Sequence, residues 1–174
     1  MADIPFVADR TGEIERKFLV TYIDISDPGA LTPQWEAVGV KVESSAIELN
    51  ADISTITDIL GITTTTVNTV APNQSFAPNT ARYGSKLHEK LWNDYMVKKD
   101  LAAAAEYKVM IVYGFAGEVG AYTAEVQTGC TVEVTSFGGS GRMDIPFNIH
   151  YSNKSEWGTA NYDTFNNSIV FTQV

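Results

Sequence analysis

Apolar and polar positions alternate with a period of two over most of the chain, which predicts strands. Residues 17–25 (KFLVTYIDI) put Leu19, Thr21 and Ile23 on one side and Phe18, Val20 and Tyr22 on the other. Both sides are largely apolar, as in a strand covered on two faces. Residues 38–52 (VGVKVESSAIELNAD) alternate Val40 and Val42 with Lys41 and Glu43, then Ile47 and Leu49 with Glu48 and Asn50. They predict one long ribbon with a wet face and a bulge near Ser44 and Ser45, where the phase changes. Residues 62–70 (ITTTTVNTV) are dense in Thr and Val and predict another strand. Residues 71–84 (APNQSFAPNTARYG) lose the alternation. With Pro72, Asn73, Pro78 and Gly84 they predict a long loop, of the kind that is functional or mobile. Phe76 and Tyr83 within it need something to pack on, so the loop is expected to order against another copy.

Residues 85–99 (SKLHEKLWNDYMVKK) carry the one helical pattern. Leu87, Leu91, Trp92, Tyr95 and Met96 form a single apolar stripe, which is expected to cover a sheet. Lys86, His88, Glu89, Lys90, Asp94 and Lys98 fill the polar side. Ser85 is the expected N-cap, and Lys98 and Lys99 suit the C-terminal end of the dipole. Strands follow at 107–115 and 121–128 around a Gly-rich turn, and at 130–137 and 143–151 around Gly138, Gly139 and Gly141. Two more lie at 156–163 and 168–174. At least seven strands at hairpin spacing with one helix predict a mainly β protein. The expected architecture is a β-sandwich or barrel of antiparallel strands with one flanking helix, a single domain over residues 1–174.

Composition and charge narrow the function. The chain has 174 residues and a formal net charge of −9. Its first 60 residues hold eleven acids against four bases, net −7, and the remainder is only −2. Such an excess argues against sequence-independent nucleic-acid binding, which needs a basic face. It fits either a hydrated outer surface or a face that repels an anion. No apolar run approaches the roughly 20 residues of a spanning helix, and the N-terminal residues lack a secretory pattern, so no membrane partner is expected. The lone Cys130 excludes an internal disulfide framework and fits a reducing cytosol.

Candidate chemistry is sparse. The glycines of 114–120 follow a strand, but a phosphate-cradling loop must open a helix, so this segment is expected to be a hairpin turn. His88, His150 and Cys130 show no metal-ligand spacing. No catalytic residue, cofactor or metal is expected, and the chain does not read as an enzyme. Trp35, Trp92 and Trp157 could form a sugar-stacking platform, which keeps a carbohydrate-binding or adhesion sandwich as an alternative.

Several segments resemble a known family. Asp58-Ile59-Leu60-Gly61, then ITTTTVNTVAPNQSFAP and SKLHEKLWNDY, are similar to the central region of major tail proteins, the tail-tube proteins of long-tailed phages of Gram-positive bacteria. VTSFGG followed by IPFNIHY is similar to that family's SYGG … IPFNIHY stretch. The resemblance spans about residues 40–165 in family order. It implies a virion protein, made in the host cytoplasm, whose β-sandwich assembles as a homohexameric ring. Stacked rings would form the tail tube through which DNA passes during genome ejection. The implied partners are further copies, the tail terminator and baseplate or distal tail proteins at the ends, and the tape measure protein and then DNA in the lumen. A tube subunit of a phage-tail-like bacteriocin is an equal fit. From strand alternation, Glu43, Glu48, Asp52, Glu125 and Glu133 are the candidate lumen-facing acids, which would repel the DNA backbone. The loop 71–84, with Pro72, Asn73, Phe76, Pro78, Arg82 and Tyr83, is the candidate inter-ring contact. Residues 1–15 and 171–174 are candidate arms that order on assembly.

Overall fold

The computed structural model describes residues 4–7, 11–27, 30–163 and 168–174. It is mainly β: a curled antiparallel half-barrel with one helix packed on it. The strands are β1 Leu19–Asp24, β2 Trp35–Ala37, β3 Ile47–Glu48, β4 Ala51–Thr57, β5 Thr63–Val70, β6 Asn73–Phe76, β7 Tyr107–Glu118, β8 Ala121–Val134, β9 Phe147–His150, β10 Ser155–Asp163 and β11 Ser168–Gln173. The helix α1 is Lys86–Trp92, continued by a π-helical turn over Asn93–Val97.

Strand β8 organises the fold. Its first half pairs with β10, from Tyr122 opposite Ala160 to Gln127 opposite Ser155. Its second half pairs with β9, from Thr131 opposite His150 to Val134 opposite Phe147. The switch falls at a bulge, where Tyr107 and Val109 of β7 face Cys130 and Gln127. Gly129 sits in this bulge at φ 71, a conformation that glycine adopts without steric cost. The strand thus belongs to two sheets, β2-β1-β7-β8-β10-β11 and β8-β9-β6-β3.

The bulge also resets the side-chain phase. Before it, Ala124 and Val126 join Met110, Val112 and Ala160 on the outer, concave face of the larger sheet. After it, Cys130 and Val132 turn inward to the main core with Val109, Ile111, Phe147 and Ile149. Leu87 and Leu91 of α1 complete that core.

Several sequence expectations need correction. The ribbon expected over 38–52 is broken at Lys41, which turns at φ 67, and only β3 and the start of β4 are extended. The loop expected over 71–84 contains β6, which pairs with both β9 and β3. Its polar residues misled: Gln74 is fully buried, accepting from Thr21 Oγ1 (2.9 Å) and Tyr151 OH (2.6 Å) and donating to Ser45 Oγ (3.1 Å). Beyond β6 the segment stays tethered, with the Ala81 N–H donating to Met143 O at 2.8 Å. On α1 the buried positions are Leu87, His88, Leu91 and, in the π turn, Asp94, whereas Trp92 is 42% exposed and packs edge-on to Phe137. His88 and Asp94 are buried because each finds a polar partner: Asn79 near the first, and the Tyr107 hydroxyl donating to the second at 2.8 Å. The C-terminal arm expected at 171–174 is instead strand up to Gln173, paired with β10. Of the arm expected over 1–15, residues 1–3 and 8–10 lie outside the described residues. Val7 is buried and its N–H donates to Phe115 O at 2.9 Å. No helix among the described residues is long and apolar enough to cross a membrane.

Candidate assembly surfaces

Strands β4 and β5 form a two-stranded sheet that pairs with no other described strand. Every residue of the hairpin except Ser54 is exposed. Threonines brace it across the ladder, with Thr55 to Thr65 at 3.3 Å and Thr57 to Thr63 at 3.0 Å. Such an isolated ribbon buries no core of its own. It nevertheless presents Ile53, Ile56, Ile59, Leu60, Ile62 and Val67 to solvent. The sequence signal was present: Asp58 and Gly61 bracket a short turn between two β-branched runs, which is a hairpin pattern.

The concave face of the larger sheet is the second surface. Two cavities open on it. One, of about 550 Å³, lies by the β7–β8 turn against Val20, Tyr22, Val112, Tyr122 and Ala160. The other, of about 770 Å³, lies between Trp35 and Phe171. Because β1 and β2 line one wall and β10 and β11 the other, the sheet is curled but unclosed. Among the described strands, β2 and β11 each keep one side without a strand partner, as β3 does in the smaller sheet. Unpaired edges template further pairing with another chain.

The candidate acids separate into different environments. Glu48 and Glu133 share the outer face of the smaller sheet, since Glu48 is opposite Asn73, Asn73 opposite His150, and His150 opposite Thr131. Glu133 accepts from Asn148 Nδ2 (3.3 Å) and pairs with His150 Nε2 (2.9 Å). These two contacts, His150 first, hold its carboxyl below the usual carboxylate range. Glu43 and Asp52 are exposed, Asp52 on the hairpin, where it accepts from Asn68 Nδ2 at 3.1 Å.

Glu125 does not belong with them. It is 7% exposed and lies on the inner side of β8, accepting from Tyr113 OH (2.9 Å), Gln127 Nε2 (2.7 Å) and Ser155 Oγ. Its reading as a wet-face acid is corrected: the bulge at Gly129 puts Glu125 and Glu133 on opposite faces. Burial, then the charge of Glu125, raises the Tyr113 hydroxyl far above its ordinary value.

Of the residues read as an inter-ring loop, Asn73 and Phe76 are in β6, with Phe76 buried against Phe147. Pro72 is half-buried, and its carbonyl accepts from the Tyr151 N–H at 3.0 Å. Pro78, Arg82 and Tyr83 remain on the surface, Tyr83 fully so. The tryptophans do not assemble into one platform: Trp35 packs on the concave face, Trp157 stacks on Tyr113 of the opposite face, and Trp92 is on the helix. Among the described residues, no cluster of His, Cys, Asp and Glu could hold a metal ion. No family model matches the chain, and no curated protein matches it.

Proposed function

We propose that this chain is a structural subunit that assembles into stacked rings, the tail tube of a long-tailed phage or of a phage-tail-like particle. The β4–β5 hairpin carries the reading. A hairpin that projects aliphatic side chains into water gains nothing from folding on its own, and its apolar surface is stabilised only when a partner covers it. The open sheet edges at β2 and β11 support the same reading, since closure into a ring would cover them. The sequence resemblance to major tail proteins supplies the tube and its cargo, and the acids at Glu48 and Glu133 supply a face suited to DNA that must slide and not bind. Like-charge repulsion is screened over about 8 Å at physiological salt, so only a wall near the duplex would act this way.

The test is negative-stain electron microscopy of concentrated protein, with light scattering of dilute samples. Rings or hollow tubes are the expected result. A protein that stays monomeric at every concentration, even with tail-initiating proteins added, sinks the proposal.

A further inference from the structure

The β4–β5 hairpin is the outer part of a longer ribbon. β3 pairs with β6 up to Glu48 opposite Asn73, and β4 pairs with β5 from Ala51 opposite Val70. The two ladders are separated by Leu49 and Asn50 on one strand and by Ala71 and Pro72 on the other. We infer that this joint is a clamped hinge, in which the side chains of Asn50 and Asn153 fix the angle between the hairpin and the body. The inference goes beyond the tube reading and is tested on the single subunit.

The ribbon breaks here for local reasons. Pro72 has no N–H to give to a ladder, and its carbonyl is taken by the Tyr151 N–H of the body at 3.0 Å. On the other strand Asn50 has φ 46, in the left-handed region that asparagine tolerates better than most residues. Packing does not hold the hairpin beyond this point, since none of its residues is buried. Its side chains brace it from within: Asn68 accepts from Ser54 Oγ (3.2 Å) and donates to Asp52 Oδ2 (3.1 Å). A braced ribbon on a broken joint is a lever, and whatever holds the joint sets its direction.

Two asparagines grip adjacent carbonyls at that joint. Asn50 Nδ2 donates to Ala71 O (3.1 Å), and the Ala71 N–H donates across the ribbon to Leu49 O (3.0 Å). Asn153 Nδ2 donates to Val70 O at 3.1 Å. Asn153 lies in the turn between β9 and β10 and is also left-handed, at φ 60. That turn is rooted in the body. The Asn153 N–H donates to Gln127 Oε1 (3.0 Å), and the buried Gln127 donates through Nε2 to Glu125 Oε1 (2.7 Å). Beside it, Ser152 Oγ donates to Thr128 O at 2.6 Å. A continuous chain of hydrogen bonds thus runs from Val70 in the hairpin to the buried Glu125 of β8.

The length of the ribbon makes a small angle matter. At about 3.3 Å per residue, β5 carries the tip roughly 25 Å from the joint, so a swing of about 10° displaces the tip by about 4 Å. One neutral hydrogen bond holds such a lever only modestly, and two bonds from separate parts of the chain restrict it together. With the angle held, the exposed Ile59 and Leu60 are presented in one place, which lowers the ordering cost of any contact they make.

Distances between two nitroxide labels test it. One label is placed at Leu60→Cys on the tip and one at Val119→Cys in the turn between β7 and β8, both exposed positions, while the native Cys130 is buried and does not compete. The labelled protein is kept dilute among unlabelled subunits, so that pulsed electron resonance reads distances within one copy. A single narrow distribution is expected. Asn50→Asp with Asn153→Asp keeps the side-chain shape and the tolerance of a left-handed backbone but removes both donors, and is expected to spread the distribution by about 4 Å or more. Thr55→Val, which removes the Thr55–Thr65 hydroxyl contact inside the ribbon, is expected to leave it narrow. A distribution as narrow in the double variant as without it shows that the angle is set elsewhere and overturns the inference. A broad distribution before any change at the joint also overturns it, as does equal spreading by Thr55→Val, which locates the motion within the ribbon. Should the double variant fail to melt cooperatively, each single substitution is judged by the same readings.

Discussion

Glu125 and Glu133 are eight residues apart on one strand, a spacing that plain alternation assigns to one face. The bulge at Gly129 separates them, and the consequences differ sharply. Glu125 is a buried carboxylate whose charge is held by three donors. Glu125→Lys would leave Tyr113, Gln127 and Ser155 facing a buried cation and is expected to cost about 3–5 kcal/mol. Glu133→Lys, at an exposed pair, is expected to change stability by less than about 1 kcal/mol. Urea denaturation of the two variants checks this, and equal effects would contradict the phase reset. His88 gives a pH dependence. Burial, reinforced by Arg82, lowers its imidazole below the ordinary histidine value of 6.5. The ring's Nδ1 meets the Arg82 N–H (3.4 Å) and its Nε2 meets the Asn79 side-chain amide (3.2 Å). The neutral ring accepts at one nitrogen only, Nδ1 facing the Arg82 N–H, and protonation removes that acceptor and sets two donors against each other there. Below pH 6.5 the unfolded chain takes up a proton that the folded chain resists, so stability falls as pH drops through that value. Thermal melts at pH 7.5 and 5.5 should show this loss, and His88→Gln should reduce it.

At the scale of elements, the signals that rest on side-chain type were legible. The β-branched run gave β5, the doubly apolar run gave β1, and Ser85 caps α1, its Oγ accepting from the His88 N–H at 3.4 Å. What failed depended on contacts distant in sequence. Asn73 and Gln74 read as loop because nothing nearby announces that Thr21 and Tyr151 will satisfy Gln74. Trp92 read as core and His88 as surface because Asn79 and the π turn, neither visible in the stripe, decide which side of α1 is covered. The hairpin was half seen: β5 was read, but β4 was absorbed into a ribbon that Lys41 interrupts. Because the hairpin contributes no fully buried residue, its removal tests whether it serves the fold or the assembly. Replacing residues 54–66 with an Asn-Gly turn is expected to leave the melting temperature within a few degrees of wild type while abolishing rings and tubes. A large drop in melting temperature would show the hairpin to be part of the folding unit.

At the scale of the whole molecule, two of the acids, Glu48 and Glu133, fall on one surface whose geometry bears on cargo. Glu48 and Glu133 lie on one outward face, three hydrogen-bonded strand pairings apart from β3 to β8, and that face is polar across its width through Asn73, Ser75 and Asn148. If this sheet lines a DNA passage, its lack of affinity is the functional property, and reversing its sign should be damaging in a specific way. Glu48→Lys with Glu133→Lys leaves the core untouched, so folding and ring formation should persist. Assembled particles of the double variant should retain duplex DNA in a gel-shift or filter-binding assay, where wild-type particles retain none. Counterion release makes that retention steeply salt-dependent, weakening several-fold or more between about 50 and 200 mM salt as each ring adds phosphate contacts. The matched control is reversal of Glu89, an exposed acid on the helix and on a different face. DNA retention by the Glu89→Lys particles to the same degree would show that net charge governs the effect and not the face, and would remove Glu48 and Glu133 from the lining of any channel.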